Sequence, residues 1–495
     1  MVSCPQFRDR IFLSPVSMKN RKNNVKRPWL TTSLLAVIAG MSAIGIHHAA
    51  SVALDRGISR FRASLPVGAT LSYSAARPAI LARGALLTDV ILQNGNMTFR
   101  AHTLRLGHPI PTPDGGLTLS HMDMVEPSLQ TPTAVIRAHS VTLNHLVTPP
   151  PPAGKSGLES LDLGHLNLER GYIDHLSVQN LSQVLQPNSM HFNSLTSDSI
   201  QIDGYGPGRT TTIAIQNGLA IASRTTLQPD GTPRAMSVQM SLKNFQLRQP
   251  ELATRIAYEQ AGNEAAAYAL PPLESMKLSG TQIISADRTF SMDTLIGTGT
   301  RKSGKDTTVF EGEGFHTHSS SGKVPVHIDG HSSTLKYTQE RIAQTGELHV
   351  QGVLNIPNFT EAHFGMNLLG PSDQQLKVGT AKNPHDAIQL AQVTLTLHGD
   401  RLVQSLPSLN AGRPLDGAAQ DQAKAVLAQG MEMGLSPYPA LAALPDYFAN
   451  PNDRTLSITL TPKPPLTLTA LAAIASSPTA AMTLMSPDNL KVTVQ

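Results

Sequence analysis

Apolar residues at every second position constrain the fold of this chain more than any other feature. Polar residues, mostly Thr, Ser, Gln and His, fill the alternate positions. Because side chains two apart share one face of a strand, each such stretch predicts a strand with one apolar and one polar face. One-sided strands are typical of antiparallel sheets. The clearest stretches are residues 236–242, 348–356, 393–397, 456–460 and 490–494.

Turn signals separate the apolar stretches, and helical patterns are few. The turns predict hairpins between short strands, and they are Asn94-Gly95, Pro113-Asp114-Gly115, Gly206-Pro207-Gly208, Pro229-Asp230-Gly231 and Asp329-Gly330. Helices are predicted at residues 250–269, 416–434, 439–449 and 465–477. The predicted fold class is therefore mainly β. It is an antiparallel, elongated or repeat-like sheet with a few helices near the C-terminus and one N-terminal transmembrane helix.

Two segments of similar sequence lie 37 residues apart. Residues 99–106 read FRAHTLRL, and residues 136–143 read IRAHSVTL. Repeated hairpin units are typical of extended, stacked β architectures. The alternative is a coincidence between two strands rich in Thr and Ser, and the sequence leaves both open.

An uncharged segment near the amino terminus predicts a membrane anchor. No acidic or basic residue occurs at positions 29–54, and the most apolar 18 residues would span about 27 Å as a helix, close to one bilayer core. A basic flank before such a helix keeps the amino end in the cytoplasm. The alternatives are a signal peptide cleaved after Ala53 and a buried helix. The predicted anchor residues are Trp29, Leu34, Leu35, Val37, Ile38, Ile44 and Ile46, and the orienting residues are Arg21, Lys22, Lys26 and Arg27.

The formal charge of +4 belongs to the amino-terminal tail. Residues 1–28 hold seven basic residues and one acidic residue, and the rest of the chain holds 32 basic and 34 acidic residues. Strong nucleic-acid binding needs clustered Lys or Arg with stacking aromatics, so no nucleic-acid partner is predicted. The single Cys, Cys4, precedes the anchor, so the exported part contains no disulfide.

Familiar catalytic motifs are absent from the sequence. Residues 299–306 resemble a phosphate-binding loop, but Asp306 stands where Ser or Thr would hold magnesium, and a strand pattern follows. A hairpin turn is predicted instead. His316, His318, His327 and His331 lie close together, yet the 18 His are scattered, so surface His are predicted rather than a zinc site. We therefore predict no catalytic, cofactor-binding or metal-binding residue, no cofactor and no enzymatic activity.

These features divide the chain into six parts. They are a basic cytoplasmic tail (1–28), a transmembrane anchor or signal (29–54), a first β region (55–148), a Pro-rich connector (149–157), a main β region (158–400) and a helix-containing α+β region (401–495).

The segment from residue 82 to residue 106, ARGALLTDVIL followed by TFRAHTLRL, resembles AsmA-like and DUF945 (YdgA-like) envelope proteins. The resemblance implies an inner-membrane protein with a single span, a cytoplasmic amino terminus and a periplasmic β body whose apolar face accommodates lipid. The expected function is non-enzymatic, in envelope maintenance or lipid binding, with the inner membrane and lipids as partners. The alternatives are a scaffold that binds another envelope protein, and a hydrolase with an unrecognised site.

Overall fold

The structure is a computed structural model. It describes residues 70–79, 84–108, 110–113, 116–149, 162–180, 190–227, 233–285, 288–319, 332–357, 359–378, 387–398, 400–411, 415–435, 438–449, 454–475, 482 and 484–495.

Within the ranges that the structure describes, twenty-three strands form one antiparallel sheet. They are β1 (Thr70–Ser72), β2 (Ala75–Ala79), β3 (Gly84–Asn94), β4 (Met97–Gly107), β5 (Ile110–Pro111), β6 (Leu117–Val125), β7 (Ser128–Gln130), β8 (Ala134–Arg137), β9 (Ser140–Thr148), β10 (Asn167–Asn180), β11 (Met190–Tyr205), β12 (Thr210–Leu227), β13 (Pro233–Pro250), β14 (Ser275–Ser285), β15 (Arg288–Lys302), β16 (Lys305–Ser319), β17 (Thr334–Ile342), β18 (Glu347–Ile356), β19 (Thr360–Leu369), β20 (Gln389–His398), β21 (Thr455–Leu460), β22 (Leu466–Thr467) and β23 (Leu490–Val494).

In the central part of the sheet the chain runs back and forth with each strand beside the one before it. From β10 to β20 every strand pairs with its neighbour in sequence. In the amino-terminal part, two short strands often pair with different parts of the same longer strand. Thus β1 and β2 both pair with β3, β6 and β7 both pair with β4, and β8 and β9 both pair with β10.

Seven helices accompany the sheet in the described ranges. They are α1 (Leu252–Gln260), α2 (Glu264–Tyr268), α3 (Asp373–Val378), α4 (Asp400–Ala411), α5 (Gly417–Leu435), α6 (Leu444–Ala449) and α7 (Leu468–Ala475). The segment predicted as one helix at residues 250–269 is helical but forms two helices, because the chain breaks at Gly262 (φ +70°) and Asn263 caps the second helix by accepting from Ala266 N. The helices predicted at 416–434 and 465–477 are confirmed by α5 and α7.

The predicted strands and several predicted turns are confirmed. The five alternating stretches lie in β13, β18, β20, β21 and β23. Asn94-Gly95 joins β3 to β4, and Gly206-Pro207-Gly208 joins β11 to β12. Pro229-Asp230-Gly231 and Asp329-Gly330 lie outside the described residues.

The amino-terminal segments also lie outside the described residues. They include the predicted tail (1–28), the predicted anchor (29–54) with Trp29, and most of the Pro-rich connector. Within the described part of the chain, no helix combines the length and the apolar character needed to cross a membrane.

The main core lies on one face of β3–β12. Its side chains come from every strand of that region except β5, and Val141, Leu143, Leu146 and Leu168 are fully buried. Helix α1 and a 3₁₀ turn at Leu163–His165 close one end of this core. A smaller core near the carboxyl end joins Val403 of α4, Tyr447 of α6 and Leu456 of β21.

Candidate functional site

One cross-strand line of mostly polar residues runs across the sheet, and we call it the polar row. Neighbouring members face one another in the strand register, and most stay exposed. In the amino-terminal part the strand assignments break at this line, between β1 and β2, β6 and β7, and β8 and β9. Its members are Ser74, Asp89, His102, Glu126, His139, His175, Asp198, Asn217, Lys243, Gly280, Asp293, Gly314 and Ser333.

Every second member of the polar row has a left-handed backbone conformation. The positive φ angles occur at Asp89 (+50°), Glu126 (+49°), His175 (+48°), Asn217 (+50°), Gly280 (+61°) and Gly314 (+69°). Adjacent strands run in opposite directions, so they meet the same bend from opposite sides. A left-handed residue is therefore needed only on alternate strands, and Asp, Asn, His and Gly enter this region at least cost.

The core-facing side of each strand changes phase at the polar row. Buried residues normally recur every two positions, but the step across the row is three, from Leu87 to Val90 in β3 and from Ile173 to Leu176 in β10. All four residues belong to the same core. The row therefore marks a line along which the sheet bends while its register is kept, as β-bulges bend single strands.

A second row of this kind lies six residues away along the strands, which is about 20 Å. Positive φ angles again occur on alternate strands, at His108 (+41°), His145 (+49°) and Gly204 (+68°). Between them, Glu169 Oε2 lies 2.7 Å from His145 Nδ1. Two parallel bends give the inner face of β4–β11 three sides around the core.

The amino-terminal members of the polar row are paired with one another. Ser74 Oγ donates to Asp89 Oδ2 at 2.8 Å, and His102 Nδ1 lies 2.9 Å from Asp89 Oδ1. The hydrogen bond from Ser74, and then that with His102, lower the pKa of the Asp89 carboxyl. Farther along, Asn217 Nδ2 donates to Asp198 Oδ2 at 2.7 Å.

The polar row changes character where it crosses β13–β16, because glycines alternate with charged residues. A Cβ on Gly280 would lie 2.7 Å from Lys243 Cγ and Cδ, and a Cβ on Gly314 would lie 2.1 Å from Asp293 Oδ2. Each charged side chain thus lies across a glycine of the next strand. Asp293 Oδ2 is 3.9 Å from His316 Nε2.

A cleft of about 450 Å³ opens at this part of the polar row. Asn217, Lys243, Gly280 and Asp293 all line it. Its remaining lining is mixed, with apolar side chains beside amides and hydroxyls: Leu219, Leu242, Met292, Gln239, Gln282 and Thr281.

The side of the sheet that carries the main core continues across β13–β23, where fewer of its side chains are buried. Phe310, Tyr337 and Phe364 form an aromatic line with ring centroids 5.9 and 6.3 Å apart. Gly352 makes room for this line, since a Cβ there would lie 2.0 Å from Phe364 Cζ. Phe364 in turn faces Leu395 of β20. We call this surface of β13–β20 the apolar face.

Burial separates the two halves of the same surface. In β4–β11 its side chains are buried, whereas Phe310, Tyr337, Phe364 and Leu395 are only partly buried. On the other side of the polar row, exposure reaches 47% at Met240 and 36% at Phe290. Among the described residues, the apolar face is therefore less completely buried than the core of β4–β11.

An ion cluster lies at one end of the apolar face. Arg301 makes two hydrogen bonds to Asp306, at 2.5 and 2.6 Å, and the buried Arg341 donates to Asp373 Oδ1 at 2.5 Å. The Arg341 guanidinium lies 4.9 Å from the centre of the Tyr268 ring. These contacts fix α2 and α3 to the strand ends.

The segments that resemble known functional motifs form ordinary parts of the sheet. Residues 299–306 form the hairpin between β15 and β16, as predicted, with Ser303 (φ +48°) and Gly304 at its turn. Asp306 binds Arg301 there. His316 and His318 lie in β16, and His327 and His331 lie outside the described residues. In the described ranges, no group of three or more His, Cys, Asp or Glu residues is placed to hold a metal ion.

Comparison with known proteins adds one partial match. A family model described as an uncharacterized protein matches residues 342–495, from the end of β17 to the carboxyl terminus. No curated protein matches the chain.

Sequence reasoning missed the polar row, the cleft and the aromatic line. The signal for the row is the three-residue step in apolar spacing, repeated on successive strands with a polar residue inside it. The predicted sites at the amino terminus, from Arg21 to Ile46, lie outside the described residues.

Proposed function

We propose that this protein is a non-enzymatic envelope protein that binds an apolar chain, such as the acyl chain of a lipid, on the apolar face of its sheet. The observation that carries the proposal is the partly buried aromatic line of Phe310, Tyr337 and Phe364, continuous with a closed core. Contiguous apolar surface that stays partly open to solvent is typical of interaction sites.

The energetics favour an apolar chain as occupant. Each buried CH₂ contributes about 0.8 kcal/mol, so a long acyl chain gains enough from partial burial to offset the cost of its ordering. The polar outer faces of the same strands offer no such gain, which confines binding to one side of the sheet.

The membrane setting rests on the amino-terminal sequence. We propose a single span at residues 29–54, with Arg21, Lys22, Lys26 and Arg27 on the cytoplasmic side and the β body in the periplasm. This arrangement would hold the apolar face close to its lipid source, in agreement with the resemblance to AsmA-like and DUF945 proteins.

Variants of the aromatic line test lipid binding. Native mass spectrometry of the full chain in a mild detergent, titrated with hexadecanoate, measures affinity directly. Phe364→Gln should weaken binding about tenfold, equivalent to ~1.4 kcal/mol. The matched control is His363→Gln on the opposite face of β19, which should bind like the natural chain. Equal affinity of the two variants, or no binding by the natural chain, would reject the proposal.

A second candidate function is a scaffold for another envelope protein. Helix α5 has no buried residue, and its Val426 is 63% exposed. A photo-crosslinker at position 426 should recover a defined partner from the envelope, whereas one at Asp421, on a different face of the same helix, serves as the control. Loss of all crosslinks at position 426 would remove this candidate.

A further inference from the structure

We propose that His139 and His175, two neighbouring members of the polar row, bind a divalent transition-metal ion, with Cu²⁺ preferred over Zn²⁺. The inference goes beyond the proposed function, because it involves neither the apolar face nor the membrane setting. The two imidazoles are the ligands that the chain supplies, and water completes the coordination.

The two histidine rings lie side by side on the sheet. Their centroids are 6.3 Å apart, and the ring planes meet at 85°. His139 N donates to the Asp174 carbonyl at 2.9 Å, which fixes the backbone of His139 beside His175. A metal ion lies about 2 Å from each imidazole nitrogen, so two rings that share one ion have centroids roughly 5–6 Å apart. Rotation of the side chains is therefore enough to bring both rings onto one ion.

Asp174 supports the His175 ring as a ligand. Its Oδ1 lies 3.0 Å from His175 Nδ1, so Nε2 is the nitrogen that remains for a metal ion. A carboxylate on the second ring nitrogen is the usual support of a metal-binding His, because it fixes the ring orientation and makes the ligand more basic.

The pair is open to solvent and is flanked by negative charge. The His175 side chain is 68% exposed, and His139 is exposed as well. Glu126 N donates to the His139 carbonyl at 2.8 Å, and the register of β10 with β11 places Asp198 beside His175. The polar row thus has a carboxylate residue on each side of the two imidazoles, which favours a bound cation.

The donor set decides which ion is preferred. Among divalent first-row ions, Cu²⁺ has the greatest affinity for a given nitrogen site. In the part of the chain that the structure describes, no third His, Cys, Asp or Glu is placed to complete a three-residue site. Zn²⁺ sites in proteins usually have three or four ligands from the chain, whereas Cu²⁺ can take two nitrogens and two waters in one plane.

His145 provides a matched comparison within the same sheet. Its backbone is left-handed like that of His175 (φ +49° and +48°), and its side chain is equally exposed, at 68%. It is also paired with a carboxylate, that of Glu169. The register places Ser120 and Glu169 beside it, so it lacks the imidazole neighbour that His175 has.

Calorimetric titration of the full chain with CuCl₂ and ZnCl₂, in a mild detergent, tests the inference. A Cys4→Ser background removes the thiol, which would compete for copper. We expect Cu²⁺ to bind at least tenfold more tightly than Zn²⁺. Electron paramagnetic resonance with half an equivalent of Cu²⁺ should show two coordinated nitrogens.

Variants of the two histidines locate the site. His139→Gln and His175→Gln should each weaken Cu²⁺ binding at least tenfold. The double variant should lose no more than either single variant, because one imidazole alone does not form the site. His145→Gln should bind Cu²⁺ like the parent chain. All three histidines are exposed, so the variants should fold, and circular dichroism checks this.

The outcomes separate this inference from the proposed function. Copper binding that survives both single variants, or that falls equally in His145→Gln, would overturn the site and indicate an adventitious ion only. Zn²⁺ binding as tight as that of Cu²⁺ would overturn the metal preference. Hexadecanoate binding should be the same in every variant, because the apolar face is unchanged, so failure of the metal site leaves the proposed function standing.

Discussion

His102 and His139 lie in the same polar row, with only Glu126 between them, although 37 residues separate them in the chain. Glu126 N donates to the His139 carbonyl at 2.8 Å, and the register of β4 with β6 places His102 opposite Glu126. The similar segments FRAHTLRL and IRAHSVTL therefore cross the same bend at the same point. Their likeness has a structural basis, since each needs an apolar step of three residues around its histidine.

The alternation of left-handed residues predicts that two histidines of the polar row tolerate substitution by valine unequally. His175 has φ +48°, whereas His139 does not have a positive φ. A β-branched residue is strained in the left-handed region, so His175→Val should cost about 1–2 kcal/mol more than His139→Val. Urea unfolding measures the difference, and His175→Gly should be nearly neutral. Equal costs for the two valine variants would show that the bend does not need the left-handed conformation.

The hydrogen bond from Ser74 predicts a measurable shift at Asp89. This bond is the largest cause of the lowered pKa of the Asp89 carboxyl, so Ser74→Ala should raise that pKa toward its ordinary value of 3.8. Because the folded pKa is lowered, the stabilisation is present above pH 3.8 and is lost as the pH falls through the lowered value. Carboxyl ¹³C NMR titration follows the group. Ser72→Ala on β1 should leave it unchanged.

The close contact at Gly352 predicts that a single methyl group disturbs the aromatic line. A Cβ would lie 2.0 Å from Phe364 Cζ, so Gly352→Ala should destabilise the fold by about 1–3 kcal/mol through displacement of the ring. Gly430 in α5 has open space around it, and Gly430→Ala should stabilise by up to ~1 kcal/mol. Thermal unfolding compares the two, and a neutral Gly352→Ala would contradict the ring position.

The buried ion cluster predicts a large cost for removing one charge. Asp306 lies between Arg301 and Arg341, and the Arg341 side chain is only 6% exposed. Asp306→Asn should destabilise by about 1–3 kcal/mol, because Arg301 loses its paired carboxylate and the buried Arg341 keeps only Asp373. Glu340→Gln, which removes the half-exposed pair with Lys305, should cost less than about 1 kcal/mol. Similar midpoints in urea would show that the cluster is dispensable.

Sequence reasoning predicted those parts of the fold that depend on local pattern. Residues 348–356 alternate between apolar and polar because one face of the strand is buried and the other is not, and β18 has both faces. The break at Gly262 was missed because Ala and Glu on both sides favour a helix, and only the turn at Asn263 interrupts it.

The candidate site depends on contacts that no local pattern encodes. Arg341 reads as an exposed residue at the end of β17, and its partner Asp373 is supplied by a helix 32 residues away. Lys243 and Asp293 are ordinary surface charges until the register brings them to either side of Gly280.

Because left-handed residues alternate along the polar row, the length of the sheet can change while its cross-section stays the same. One forward and one return strand form a complete unit, because the left-handed partner and the ordinary partner of the bend are both present. Adding or deleting such a unit would lengthen or shorten the body while its cross-section stays constant. The 37-residue similarity agrees with growth by duplication of such units, so the reach of the molecule could change during evolution without redesign of its interior.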